Sequence, residues 1–258
     1  MTFQSRFGAA AEAYDTYRPE YSAEVFKFIL ASVSPDRRHL AMDLGAGTGR
    51  ATRYLAGQFE KVIAVEPDAK MAERIRGFGP GAVVRITTAE DCVQQPDSVD
   101  LIVIANALHW MDGPLVIKNV TRWLRPAETF ALIDPPFPHA PKPIQEIVRQ
   151  EFRDHWESFR DPRLGKAGNR KERVWQKLIL STPGLALLEE RTLASINPLT
   201  PEEFVGFWKS TSYGSAYARS LDDLASYWQD LESRFRSAWP NEKIPVDFSP
   251  VVLLAKKE

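Results

Sequence analysis

Apolar positions along the first 140 residues follow two alternating patterns. Short runs of consecutive apolar residues, such as Val62, Ile63, Ala64 and Val65, predict strands buried on both faces. Five such strands are expected, at residues 39–43, 61–66, 83–87, 100–105 and 129–134. Between them the period changes to that of helices. Asp68 is placed to cap a helix with Met71, Ala72 and Ile75 on one side. Asp112 or Gly113, followed by Pro114, opens another that buries Val116, Ile117, Val120 and Trp123 or Leu124, and Arg125-Pro126 ends it. Strand–helix alternation on this scale predicts an α/β, doubly wound sheet with right-handed crossovers.

The pattern shifts after a proline-rich loop at 134–143. Ile144, Ile147, Val148, Phe152, Trp156 and Phe159 recur at spacings of three and four, which predicts an amphipathic helix. Leu178 and Ile179 belong to a second helix. Thr200-Pro-Glu-Glu203 has capping-box spacing, and Leu224, Tyr227, Trp228, Leu231 and Phe235 mark a longer helix. Residues 188–196 form a candidate sixth strand and 246–255 a seventh. The expected organisation has three parts: N-terminal helices and a ligand-binding core (1–140), a helical cap containing the sixth strand (141–240), and a final strand completing the core sheet (241–258).

Composition narrows the function classes. Among 258 residues, 44% are hydrophobic and 26% charged, values of an ordinary globular protein. Lysine plus arginine (33) nearly balances aspartate plus glutamate (34), so the net charge of -1 gives no general reason to bind nucleic acid or a membrane. The start, MTFQSRFGAA, lacks the apolar core of a secretion signal, and no apolar run is long enough to cross a bilayer. Cys92 is the only cysteine, so neither an internal disulfide nor a zinc cluster is expected. A cytoplasmic monomer or homodimer without a metal site fits these features.

The most informative stretch is Ala41-Met-Asp-Leu-Gly-Ala-Gly-Thr-Gly49, between an apolar strand and the helical Arg50-Ala-Thr-Arg-Tyr-Leu-Ala56. Gly45, Gly47 and Gly49 permit a tight turn and close approach of a ligand to the backbone. Such a turn at the carboxyl end of a first strand is where open α/β sheets bind ligands. Asp43 stands just before it. Glu66 ends the next strand at the same sheet edge, where its carboxylate can accept hydrogen bonds from both ribose hydroxyls of a nucleoside. The spacing is Asp-x-Gly-x-Gly-x-Gly, not the G-x-G-x-x-G of a dinucleotide site, and position 50 is arginine.

This motif resembles the first motif of the class I, Rossmann-like S-adenosylmethionine-dependent methyltransferases. Thr88-Ala89-Glu90-Asp91, followed by Pro96-Asp-Ser-Val-Asp-Leu-Ile102, is similar to that family's third-strand loop and fourth-strand entry. Asn106-Ala-Leu-His-Trp-Met-Asp112 resembles the segment after the fourth strand in a subgroup acting on small molecules. Phe7-Gly8, Ala13-Tyr14 and Arg18-Pro-Glu-Tyr21 also fit that subgroup. The resemblance implies a seven-stranded, mostly parallel sheet with an antiparallel final strand and a helical cap. It implies S-adenosyl-L-methionine as cofactor, held by Asp43, Gly45, Ala46, Gly47, Thr48, Gly49, Glu66, Pro67 and Met71. Ala89 and Glu90 inherit a place beside the adenine ring, although Asp91 could take that contact. Tyr14 and Arg18 would close over the cofactor, with Arg18 pairing with its carboxylate.

The expected chemistry is in-line methyl transfer to a small molecule, with oxygen, a carboxylate in particular, as acceptor. His109 is the candidate general base, set against a purely structural role, and Trp110 either lines the site or packs the core. Asn106 could bind the cofactor's amino-acid part, bind the acceptor, or serve an ordinary turn. The aromatics Phe152, Trp156, Phe159, Trp175, Phe204, Phe207, Trp208, Tyr213, Tyr217, Tyr227 and Trp228 are chiefly core, some facing an apolar acceptor. Two other readings stay open: a cofactor-binding regulatory protein without turnover, and a nicotinamide-dependent dehydrogenase.

Overall fold

The computed structural model describes residues 11–134, 137–159 and 174–258. Phe7 and Gly8, and Pro135 and Pro136 of the proline-rich loop, lie outside them. The described residues open with α1 (Ala11–Tyr17) and α2 (Ala23–Leu30). Strands and helices then alternate: β1 (Leu40–Leu44), α3 (Arg50–Ala56), β2 (Lys61–Val65), α4 (Ala69–Ile75) and β3 (Ala82–Arg85). β4 (Val99–Ala105), α5 (Gly113–Trp123) and β5 (Leu124–Asp134) follow. After α6 (Lys142–Glu151) and α7 (Val174–Leu180) come β6 (Leu185–Thr192) and β7 (Ile196–Leu199). The chain continues through α8 (Pro201–Lys209), α9 (Ser212–Ala218), α10 (Leu224–Ala238), β8 (Ile244–Asp247) and β9 (Val251–Lys257).

Two compact units result. A sheet unit takes its described residues from Tyr21–Pro135, Arg163–Leu193 and Pro250–Glu258. A helical unit takes its own from Met1–Glu20, Pro136–Pro162 and Ala194–Ser249. This partition cuts across the 1–140, 141–240 and 241–258 division expected from the sequence. α1 belongs with the helical unit because Tyr17 packs on α8, where a Cβ on Gly206 would lie 2.2 Å from its ring. α7, expected in the cap, belongs to the sheet unit because Leu178 and Trp175 close on Gly113 of α5, and Ile179 is buried in the sheet core.

The seven-stranded sheet runs β3-β2-β1-β4-β5-β9-β6. β1 to β5 are parallel, and β9 enters antiparallel to both β5 and β6. Alternating residues serve opposite faces, as strand geometry requires. Met42, Leu44, Ile102, Ile104, Phe130 and Leu132 pack with Val116, Ile117, Val120 and Trp123 of α5. Ala41, Leu101, Val103, Ala131 and Ile133 pack with Val25, Phe26 and Ile29 of α2 and Leu55 of α3. Both faces are covered, which is why these strands read as unbroken apolar runs.

Three expectations change in detail. β5 begins at Leu124, so Arg125-Pro126 lies inside the strand; a register shift between Val99 and Leu101 on β4 absorbs the irregular start. The run 188–196 divides into β6 in the large sheet and β7 outside it, and 246–255 divides into β8 and β9. β7 and β8 pair antiparallel as a separate ribbon, with Pro198 opposite Pro245. Pro250 has no N–H to continue a ladder, and Asp247 Oδ1 accepts from the Ser249 N–H (2.8 Å) to make the turn there.

The helical unit is built around a dense aromatic core. Trp156, Phe204, Phe207, Trp208, Trp228, Phe235 and Phe248 are buried in one cluster. Thr200 closes the expected capping box, accepting from Glu203 N–H at 3.1 Å while Glu203 accepts from Thr200 N–H at 2.8 Å. A π-helical turn, Phe152–Trp156, follows α6 and lets Trp156 donate to the Tyr227 hydroxyl at 2.8 Å.

Candidate functional site

Strand order reverses between β1 and β4, so the chain leaves those two carboxyl ends in opposite directions and opens a crevice. The glycine loop follows β1. Its N–H groups at Gly45 and Ala46 donate to Val65 O at 2.9 and 3.0 Å, fastening the loop to the end of β2. Gly45, Gly47 and Gly49 have φ of 70°, 59° and 88°, a region costly to residues with a Cβ. Their surroundings differ. A Cβ on Gly45 would meet Ala107 Cβ at 2.6 Å and Met111 Cε at 2.7 Å, and one on Gly49 would meet Phe78 at 2.4 Å. At Gly47 the nearest atom is Met71 Sδ at 3.9 Å, so only this glycine leaves its face open.

Two carboxylates flank the loop. Asp43 is 1% exposed; its Oδ2 accepts from Thr52 Oγ1 at 2.6 Å, and Oδ1 has no hydrogen-bond partner among the described residues. Burial pushes its carboxyl up to about 6, against the pull of the Thr52 hydroxyl and N–H. Glu66 follows β2. Its Oε2 accepts from Gly47 N–H at 2.8 Å and its Oε1 from Asp68 N–H at 2.9 Å. Burial raises the Glu66 carboxyl, while these two N–H donors oppose the rise. Asp68 caps α4 as expected, accepting from Lys70 and Met71 N–H, which seats buried Met71 near Gly47; Pro67 is half-buried.

The third loop places Ala89 in the core, and Glu90 Oε1 accepts from Asp112 N–H at 2.7 Å. Asp91 is spent in a local turn with Thr88, at 2.9 and 3.1 Å. Of the two carboxylates considered for the adenine contact, Glu90 is therefore the one directed toward the fourth-strand segment. Asn106 follows β4 with φ 53°, a left-handed conformation that costs a non-glycine residue about 1 kcal/mol or more. Its N–H donates to Ile133 O at 2.8 Å. Leu108–Trp110 then forms one 3-10 turn, with Leu108 buried and the His109 and Trp110 rings half-buried, 5.1 Å apart.

These contacts join four strand-end segments into one cluster: Glu66 to Gly47, Gly45 to Ala107 and Met111, and Asp112 to Glu90. Tyr14 and Arg18 sit in the helical unit. There Arg18 Nε donates to Ser210 Oγ at 2.9 Å and the guanidinium lies 4.6 Å from the Phe207 ring centre and 5.2 Å from that of Tyr14. In the same unit Lys209-Ser-Thr-Ser-Tyr213 supplies a helix cap: Thr211 Oγ1 accepts from Gly214 N–H at 3.1 Å. Sequence reasoning missed Thr52, Met111 and Glu151. Thr52 lies one turn into the helix after the glycine loop, which was its available signal. Glu151, buried, accepts from the Tyr227 hydroxyl at 2.8 Å and pairs with Arg234.

The cluster fits a nucleoside-bearing amino acid. Gly47 offers an open backbone face, Glu66 carries a carboxylate beside it, and Asp43 Oδ1 and Thr48 Oγ1 are buried polar atoms with no hydrogen-bond partner among the described residues. Among the described residues no group of three or more His, Cys, Asp or Glu side chains could hold a metal ion. No described helix is long and apolar enough to cross a membrane.

Sheet order and antiparallel β9 give the sheet unit the Rossmann-like fold seen in class I S-adenosylmethionine-dependent methyltransferases, with the glycine loop and Glu66 following β1 and β2. Residues 42–132 match the methyltransferase domain family. An uncharacterised methyltransferase of Mycobacterium tuberculosis is 36% identical over 127 residues, 49% of this chain and 51% of that protein. The chain thus spans about half the length of these mycobacterial relatives. A Dictyostelium discoideum protein described as a methyltransferase is 27% identical over 259 residues, covering 99% of this chain and 96% of its own. A solved structure from Anaeromyxobacter dehalogenans, described as a type II methyltransferase, superposes with a TM-score of 0.73 at 23% identity, over 93% of this chain and 98% of that one.

Proposed function

We propose that the chain transfers the methyl group of S-adenosylmethionine to a small molecule, with oxygen, a carboxylate in particular, as the acceptor atom. The observation that carries the reading is the Glu66 carboxylate bonded at 2.8 Å to the N–H of Gly47, the glycine whose face is open. Bound S-adenosylmethionine supplies an electrophilic sulfonium methyl group. In the transfer this would support, the acceptor's lone pair would form the bond to carbon while the carbon–sulfur pair returned to sulfur, giving a thioether.

The residues of the chain bind, orient and exclude water. Glu66 accepts from the ribose hydroxyls through lone pairs that Gly47 and Asp68 leave unused. Gly45, Ala46, Gly47, Thr48 and Gly49 form the floor, with Asp43, Pro67 and Met71 around it, and Ala89 and Glu90 border the adenine. Asn106 holds the amino-acid portion or the acceptor. His109 takes the proton of a hydroxyl acceptor, and an ionised carboxylate needs only positioning by the His109–Trp110 turn. Alignment in such a site is worth several powers of ten in rate. The near-neutral net charge of -1 favours a small acceptor over a nucleic acid.

Methyl-labelled cofactor incubated with fractionated metabolite pools tests the proposal. A labelled small product, lost in the Glu66→Ala variant, supports it. Cofactor binding without any labelled small product across acids, phenols, alcohols and amines contradicts it.

A further inference from the structure

Three contacts set the one-turn helix carrying His109 and Trp110. Leu108 anchors it in the core, Ala107 and Met111 close on Gly45, and the last fixing point is Asp112 N–H on Glu90 Oε1 at 2.7 Å. Asp112 is also the N-cap of α5, its Oδ1 accepting from Leu115 N–H at 3.1 Å. In a capping box the N-cap N–H is taken by a glutamate or glutamine at the third helical position. Here that position is Leu115, which cannot accept. Glu90, 22 residues earlier on the loop after β3, takes the N–H instead, and its own carbonyl accepts from Asn119 Nδ2 at 3.4 Å. A normally local bond has become a tertiary one.

We propose that Glu90 is a positioning residue: through Asp112 it ties the His109–Trp110 turn to the loop after β3, so that the adenine side of the site sets the acceptor side. The inference rests on the proposed placing of His109 and Trp110 beside the acceptor. A carboxylate oxygen has two lone pairs, so Glu90 can keep Asp112 on Oε1 and still take an adenine amino group on Oε2. The bond is charge-assisted, and a negative charge there also suits the start of α5.

Hydrogen exchange on the full chain, free and with S-adenosylhomocysteine, tests this. In the free Glu90→Ala chain, the peptide covering 106–112 should exchange about three- to tenfold faster, the protection one such bond gives. Glu90→Gln, which keeps an acceptor oxygen, should stay near wild type. Glu90→Asp, one methylene too short, should behave as alanine and serves if the alanine variant does not fold. Adding Leu115→Glu to Glu90→Ala restores a local capping box; the first turn of α5 should recover while 106–111 stays fast. Unchanged exchange in both Glu90→Ala and Glu90→Asp, or full recovery of 106–111 in the double variant, overturns the proposal. Failure of S-adenosylhomocysteine to bind would sink the cofactor reading without touching the ligand-free result.

Discussion

Glu66 and Gly47 are joined by a 2.8 Å hydrogen bond from the glycine N–H to the glutamate carboxylate, so one side chain both orders the glycine loop and marks the end of β2. Binding groups that are already oriented lose less freedom on meeting a ligand. The Glu66→Ala variant should therefore bind S-adenosylhomocysteine more weakly by about 1–3 kcal/mol, measured by calorimetry. Glu66→Gln, which can still accept from Gly47, should lose less.

The glycines should separate by readout. Gly45→Ala must displace Ala107 and Met111 from 2.6 and 2.7 Å as well as adopt a φ of 70°, so chemical denaturation should show a loss of more than about 2 kcal/mol. Gly47→Ala meets no atom nearer than 3.9 Å and carries only the backbone cost of about 1–2 kcal/mol, with a larger loss in cofactor affinity.

Buried Asp43 gives a pH signature. Its carboxyl is raised from 3.8 to about 6 in the folded chain, so folding favours the protonated form. This contribution is complete below about 4 and is lost as pH rises through about 6. The wild type should lose on the order of 3 kcal/mol relative to Asp43→Asn over that window. Urea unfolding of both proteins at pH 4 and pH 7 measures the difference; equal gaps at the two pH values would contradict it.

In the helical unit, the Tyr227 hydroxyl accepts from Trp156 and donates to Glu151, which also pairs with Arg234. Removing that hydroxyl in Tyr227→Phe should cost about 1–2 kcal/mol of stability. Glu151→Ala should cost more, about 2–3 kcal/mol, because it removes the acceptor of the Tyr227 hydroxyl and leaves Arg234 only the exposed Asp230, at 3.6 Å. Thermal unfolding checks both.

The strand ends were legible because parallel strands buried on both faces write themselves as runs such as Val62 to Val65, and the glycine loop because positive φ demands its residue type. Asp68 and Thr200 were legible because a cap acts within three residues. What escaped joins distant residues: Glu90 to Asp112, Gly45 to Met111, Glu151 to Tyr227. The β7–β8 ribbon escaped because each of its strands adjoins a strand of the large sheet, with apolar residues on both sides of the break. Leu178 and Ile179 marked a helix but not its unit, since an apolar stripe names no partner.

In the proposed function the cluster around Gly47 and Glu66 binds the methyl donor. Calorimetry of the wild-type chain against S-adenosylhomocysteine and NAD tests it most directly. Saturable binding of S-adenosylhomocysteine, weakened by Glu66→Ala, with no heat from NAD, is the predicted result. Binding of NAD with none of S-adenosylhomocysteine would contradict it.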